Sequence, residues 1–204
     1  MHNEATRPRD RGDAGALRLL PDAQRGDGAG LIASEQRLFI ETVQQNLTEL
    51  DPRLGDHVLA QDRFAVHDLT ASVEDAVLQS GVGDGLAVVQ LLHTSATLLV
   101  NEIDEPMFLA DLLARARTLA PTEGAYLHNS PLRRVNLCAD DHHCDRNGDA
   151  HLRASLIGQP SVTLAVSQGR LVRGRWQRIA LVEFDGPRRR EVVVRILGVP
   201  GRMS

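Results

Sequence analysis

Apolar and polar positions trade periods along this chain, and each change of period predicts an element. From Gln36 onward Leu38, Ile40 and Val43 recur among polar residues, predicting an early strand. Asp51-Pro52-Arg53-Leu54-Gly55-Asp56 predicts a turn, and His57 to His67 a further strand. Behind Thr70, a good N-cap residue, Val73, Ala76 and Val77 fall at helical spacing. Ser80-Gly81-Val82-Gly83-Asp84-Gly85 stops that helix. Leu86 to Leu92 is nearly continuously apolar, as in a strand covered on both faces, and Leu98 to Val100 predicts a second strand.

Asp104-Glu105-Pro106 places acid and proline at a helix start; Met107 to Leu119 keeps helical spacing and Pro121 ends it. A short helix is expected over Ala150 to Ile157, closed by Gly158. From Ser161 the pattern is strand-like: Val162 to Val166, Arg170 to Phe184 and Glu191 to Leu197. Ser167-Gln168-Gly169-Arg170 and Asp185-Gly186-Pro187-Arg188 are the turn signals between them. Mixed elements with hairpin connections predict an α+β fold: a single domain, its mainly antiparallel β-sheet packed by a few helices. Residues 1–33, rich in Arg, Asp, Gly and Ala, read as a disordered tail, and 34–200 as the folded domain.

Composition narrows this picture. Hydrophobic residues are 42% of the 204 but aromatics only 3%, so the core is Val, Leu, Ile and Ala. So few stacking platforms argue against binding of single-stranded nucleic acid. A formal net charge of −4 gives no general attraction to nucleic acid or an anionic membrane. Arg170, Arg173, Arg175 and Arg178, then Arg188, Arg189 and Arg190, make the C-terminal third basic. They read as a solvated strand face or as an anion site. Two cysteines, Cys138 and Cys144, are too few for a disulfide framework, and no signal peptide or membrane span is apparent. The expected setting is a reduced cytoplasm. Between the cysteines lie Asp140, Asp141, His142 and His143, whose spacing matches no zinc pattern and reads as a solvated loop.

The chemistry concentrates elsewhere. Leu92-His93-Thr94-Ser95-Ala96-Thr97-Leu98-Leu99-Val100-Asn101-Glu102 sets polar groups within an apolar run, where they need partners. His128 and His151 recur in polar settings, Tyr126-Leu127-His128 and Asn147-Gly148-Asp149-Ala150-His151. Alone, each histidine fits a structural role. Together, three imidazoles suffice for a tetrahedral divalent site with one open position. Glu102 and Asp111 are candidate acid–base groups or outer-shell partners. Ser95 has no adjacent base or nucleophile elbow, which argues against a serine hydrolase, and no phosphate loop or dinucleotide fingerprint occurs.

His93-Thr94-Ser95-Ala96, Asn101-Glu102, Tyr126-Leu127-His128 and Asn147-Gly148-Asp149-Ala150-His151-Leu152 together resemble the YjbQ family, also called UPF0047. Gly169-Arg170-Leu171, Gly174-Arg175-Trp176-Gln177-Arg178-Ile179 and Glu183-Phe184-Asp185-Gly186-Pro187-Arg188 resemble its closing motif. The likeness covers about residues 60–198. It implies a homotrimer with His93, His128 and His151 as divalent-metal ligands, Zn2+ first and Mg2+ for a diphosphate substrate. Ser95, Glu102, Asp111 and Asn147 become candidate catalytic residues; Arg188, Trp176 and Gln177 become candidate contacts to a phosphorylated small molecule. Some members carry the description secondary thiamine-phosphate synthase, which joins hydroxymethylpyrimidine diphosphate to thiazole phosphate. A metal-dependent transferase of that kind is the leading expectation. A zinc-dependent phosphoester hydrolase and a non-catalytic metal- or ligand-binding trimer are the alternatives. The stretch before residue 57 and the 138–145 loop exceed the family's pattern.

Overall fold

The computed structural model of the protein describes residues 18–19, 30–43, 63–130 and 146–201. Its strands are β1 (Arg18–Leu19), β2 (Ile32–Thr42), β3 (Ala65–Asp68), β4 (Val82–Leu91) and β5 (Ala96–Asn101), then β6 (Ser161–Ser167), β7 (Arg170–Leu171), β8 (Arg178–Glu183) and β9 (Arg188–Pro200). Helices α1 (Thr70–Ser80), α2 (Pro106–Leu119) and α3 (Gly148–Ile157) accompany them, with a 3-10 turn at Leu127–Asn129. One antiparallel sheet runs β1-β2-β9-β4-β6-β7 and a second runs β3-β8-β5. The α+β, mainly antiparallel architecture is the one the hydrophobic pattern implies.

Strand parity sets the layers. Val192, Val194 and Ile196 of β9 and Ala87, Val89 and Leu91 of β4 pack against Ile179 and Leu181 of β8, filling the space between the sheets. The other parity of β8, Ala180 and Val182, meets Leu109, Leu113 and Ala116 of α2 and Ala150 and Ala154 of α3. With both faces covered, Ile179 to Val182 is necessarily a continuous apolar run. Helix α1 adds Val73, Ala76 and Val77 to the first core and touches strands of both sheets.

Several boundaries moved for identifiable reasons. Thr70 opens α1, but the capping oxygen belongs to Asp68, whose Oδ1 accepts the Thr70 N–H at 2.8 Å. The Thr70 hydroxyl instead accepts the Ile179 N–H at 2.9 Å, tying the helix to β8. Glu105 caps α2 as its composition implied, accepting from Met107 N (2.9 Å) and Phe108 N (2.7 Å). Gly81, at φ +72°, ends α1, but Val82 to Gly85 is strand and not turn. The register of β4 on β9 shifts between Val82 and Asp84, and a Cβ at Gly85 would run into the Leu197 carbonyl. Glycine there is a close-approach residue of a bulged strand. The expected strand from Arg170 to Phe184 divides into β7 and β8. β1 and the start of β2 fall inside the stretch read as a tail. Cys138, Cys144, Asp140, Asp141, His142 and His143 lie outside the described residues.

Candidate functional site

The β5–β8 ladder organises the candidate residues. Ala96 pairs with Glu183 at one end and Asn101 with Arg178 at the other. Six residues of extended chain separate these ends by about 17 Å. His93 and Ser95 therefore sit at the Glu183 end; Glu102, Trp176 and Gln177 sit at the Arg178 end. The candidates drawn from sequence do not form one site within a single chain.

At the Glu183 end the histidines are held by three different elements. His128 lies on the 3-10 turn and His151 on the first turns of α3, their ring centroids 4.8 Å apart and tilted by 47°. His151 Nδ1 lies 3.2 Å from the Thr94 carbonyl oxygen, and His128 Nδ1 3.5 Å from the Asn129 side-chain oxygen. Oxygens that only accept favour a hydrogen on Nδ1 of each ring, which leaves Nε2 turned away from these partners. Asn129 Oδ1 also accepts the Gly148 N–H at 3.1 Å, which locks the 3-10 turn to the start of α3. His93 differs. Its Nε2 accepts the Glu191 N–H at 2.9 Å, so its neutral ring carries the proton on Nδ1. Burial lowers the His93 pKa below the usual imidazole value, and the neighbouring Arg190 guanidinium lowers it further.

Beneath these rings is a buried ion network. Arg190 shares the inward parity of Val192 and Val194, and Glu183 that of Ile179 and Leu181, so the two charges meet between the sheets. Arg190 donates Nε to Glu183 Oε2 (2.5 Å) and Nη2 to Oε1 (2.6 Å), a fork the planar guanidinium fits. The same Nη2 donates to Ser95 Oγ at 2.9 Å, and Thr42 Oγ1 donates to Glu183 Oε2 at 3.1 Å. Asp185 accepts from Asn147 Nδ2 (2.7 Å), Arg188 Nε (3.0 Å) and Arg63 Nη1. Asp149 accepts from Arg63 Nη2 at 3.0 Å and pairs with Arg153 Nη2 at 3.6 Å. Among the described residues, four guanidiniums gather around three carboxylates here.

The expected residues divide accordingly. Ser95 is buried as a hydrogen-bond acceptor of Arg190, with no base beside it. Asn147 orients Asp185, and Arg188 spends Nε on the Asp185 carboxylate and carbonyl. Glu102 is exposed beyond β5, and Asp111 is exposed on α2. Gln177 is consumed locally, its Oε1 accepting the Gly174 N–H at 2.7 Å. Trp176 is 56% exposed beneath the Arg175 guanidinium. Among the described residues, no group of three or more His, Cys, Asp or Glu side chains is gathered to hold a metal ion. Two imidazoles, those of His128 and His151, lie side by side; the third, His93, has its Nε2 lone pair occupied. Sequence reading met Glu183 only within a motif, Arg190 only within a basic run and Asp149 only within a motif, and passed over Arg153 and Arg63. The first two had a signal: a charge at an inward position of an alternating strand requires a buried partner.

The family profile described as UPF0047 protein YjbQ-like matches residues 57–199. A UPF0047 protein of Archaeoglobus fulgidus is 38% identical over 135 residues, 66% of this chain and 93% of that one. A UPF0047 protein of Methanocaldococcus jannaschii is 34% identical over 131 residues, 64% and 83% of the two chains. Among solved structures, a YbjQ-like protein of unknown function from Sulfolobus solfataricus superposes with a TM-score of 0.62. It is 27% identical, over 82% of this chain and 99% of that one. A hypothetical protein of Aeropyrum pernix gives 0.60 at 32% identity, over 80% and 98%.

Proposed function

We propose, for a chain that belongs to the UPF0047 (YjbQ-like) family, a divalent-metal-dependent enzyme acting on a small phosphorylated molecule at the Glu183 end of β8. The observation that carries this reading is the paired presentation of His128 and His151. Each is anchored through Nδ1 to an oxygen and keeps Nε2 free, the arrangement that metal-ligating histidines adopt. Imidazole nitrogens suit zinc better than magnesium, which takes oxygen ligands and water. A bound ion would supply charge neutralisation at a phosphate or a water acidified toward neutral pH.

The surrounding residues do the remaining work. The Thr94 carbonyl and Asn129 orient the two rings. Arg63, about one-third exposed and anchored by Asp185, can turn a remaining N–H group toward a phosphate, and Arg188 is held beside it by the same carboxylate. His93 offers its Nδ1–H as a donor and, with its lowered pKa, is neutral at pH 7. The transferase form, joining hydroxymethylpyrimidine diphosphate to thiazole phosphate with release of pyrophosphate, follows the family resemblance. Hydrolysis of a small phosphoester is the second reading, favoured by the preference of imidazole donors for zinc. Binding without turnover is the third.

Metal analysis of the purified protein with a substrate panel separates them. Both thiamine precursors consumed together supports transfer; one phosphoester hydrolysed alone supports the second; ligand retention without turnover supports the third. Absence of any divalent metal at neutral pH, with no rise on zinc addition, would sink the metal-dependent reading. His128→Ala and His151→Ala should each remove most of the metal, and His93→Ala much less. Equal loss in all three restores a three-histidine ligand set. The homotrimer is a proposal of the same standing: light scattering should give about three times 22.3 kDa.

A further inference from the structure

The Arg178 end of β8 carries a groove that the histidine chemistry does not use. It lies between the middle of α1, at Glu74 and Leu78, and the segment through Arg170, Leu171, Arg173 and Arg175, with a volume of about 460 Å³. That is within the range of small-molecule sites. Its floor is rigid. Arg173 donates Nε to Glu74 Oε1 at 3.0 Å and Nη1 to the Gln177 carbonyl at 3.0 Å, strapping the segment to the helix. The 174–177 turn is closed by Gln177 N donating to the Gly174 carbonyl at 3.1 Å.

Arg173 accounts for the groove's one carboxylate. Arg170 and Arg175 meet no carboxylate among the described residues, so the groove holds two uncompensated positive charges on a chain of net charge −4. Each is exposed and keeps planar N–H groups free for an anion. Beside them Leu78 is 65% exposed, an apolar wall facing the same space, and Leu171 is half-buried. Arg175 already lies over the Trp176 ring, its guanidinium carbon 4.7 Å from the centroid, so a flat partner finds a stacking neighbour at the rim.

We propose that this groove is a second ligand site, for a small molecule with one phosphate or carboxylate on an apolar body. Arg170 and Arg175 take the anionic group, and Leu78 and Leu171 take the body. The site is separated from the histidine end by the length of β8, and the inference is independent of any metal at that end.

Trp176 is the chain's sole tryptophan, so its indole N–H gives a single reporter signal in an amide correlation spectrum. Phenyl phosphate, phenylacetate and inorganic phosphate are titrated into the full-length protein. Phenyl phosphate or phenylacetate should shift that signal saturably in the millimolar range, more weakly at high salt. Whichever of the two binds more tightly identifies the anionic group. The Arg170→Ala/Arg175→Ala double variant should weaken binding by about tenfold or more, since charge-assisted bonds are the strong ones. His151→Ala should leave it unchanged, which keeps a failed metal reading separate from a failure here. No saturable shift, or a shift that survives the double variant, overturns the proposal. Equal binding of inorganic phosphate and phenyl phosphate overturns its apolar half.

Discussion

The two ends of β8 carry the same chemistry, an arginine facing carboxylates, in opposite surroundings. Arg190 and Glu183 are sealed between the sheets, their side chains 5% and 0% exposed. Arg178 pairs with Asp68 at 2.6 Å, both about one-third exposed. In the first pair each charge has lost its water and depends on the other, on Ser95 and on Thr42 to replace it. The second keeps solvent as an alternative partner. Geometry is good in both; desolvation alone makes one an obligate partnership and the other optional. Thr94 and Glu191, which meet His151 and His93, are the chain neighbours of Ser95 and Arg190 at the obligate end. The groove at the optional end keeps two arginines free for a ligand.

Breaking the buried pair should have the largest effect. Glu183→Gln leaves the Arg190 charge buried without a counter-ion and is expected to cost about 3–5 kcal/mol in denaturant unfolding. Replacing both members by apolar residues of similar volume should recover most of that loss. A Glu183→Gln protein as stable as the parent would show that water reaches Arg190. Desolvation also acts on two histidines, His67 in β3 and His93 before β5. Burial lowers the pKa of His67, and burial with the Arg190 charge lowers that of His93, below the ordinary value of 6.5. On acidification the unfolded chain therefore takes up these protons first. Their contribution to stability is complete above pH 6.5 and declines below it, levelling once the folded-state values are passed. Melting temperature followed across this range should fall, and His67→Phe should flatten part of the slope.

At the open end the expected effects are small. Arg178→Ala should cost about 0–1 kcal/mol, and less still in high salt. A loss as large as that of Glu183→Gln would erase the distinction between the two ends. Smallest is a gain: Gln168 sits at φ +50° beside Gly169 at φ +73° in the β6–β7 hairpin. Asn or Gly suits that left-handed position better, so Gln168→Asn should raise stability by a few tenths of a kcal/mol up to about 1.

Helix positions and the run of C-terminal strands were legible in the chain because each depends on local period and local caps. The Leu109, Leu113 and Ala116 stripe, the Glu105-Pro106 start of α2 and the Gly81 stop of α1 need no distant partner to be recognised. The candidate site was legible in part. His128 and His151 lie in turn-and-helix settings whose polarity already marked them. Their pairing, and the different hydrogen bond of His93, depend on Thr94, Asn129 and Glu191 arriving from other elements. Trp176, Gln177 and Glu102 are close in motif order to the histidines yet lie across a ladder about 17 Å long. The strand read between His93 and Glu102 already separates those two, whereas for Trp176 and Gln177 only the pairing of β8 with β5 decided it.

Local patterning thus determined the α+β class and the helix limits. Only the tertiary structure decided which carboxylate each arginine meets, which ring nitrogen each histidine leaves free and which candidates share an end of the sheet. The reason is physical. Periodicity and capping are interactions between residues a few positions apart, whereas desolvation and ion pairing are set by whichever chain segments are brought into contact.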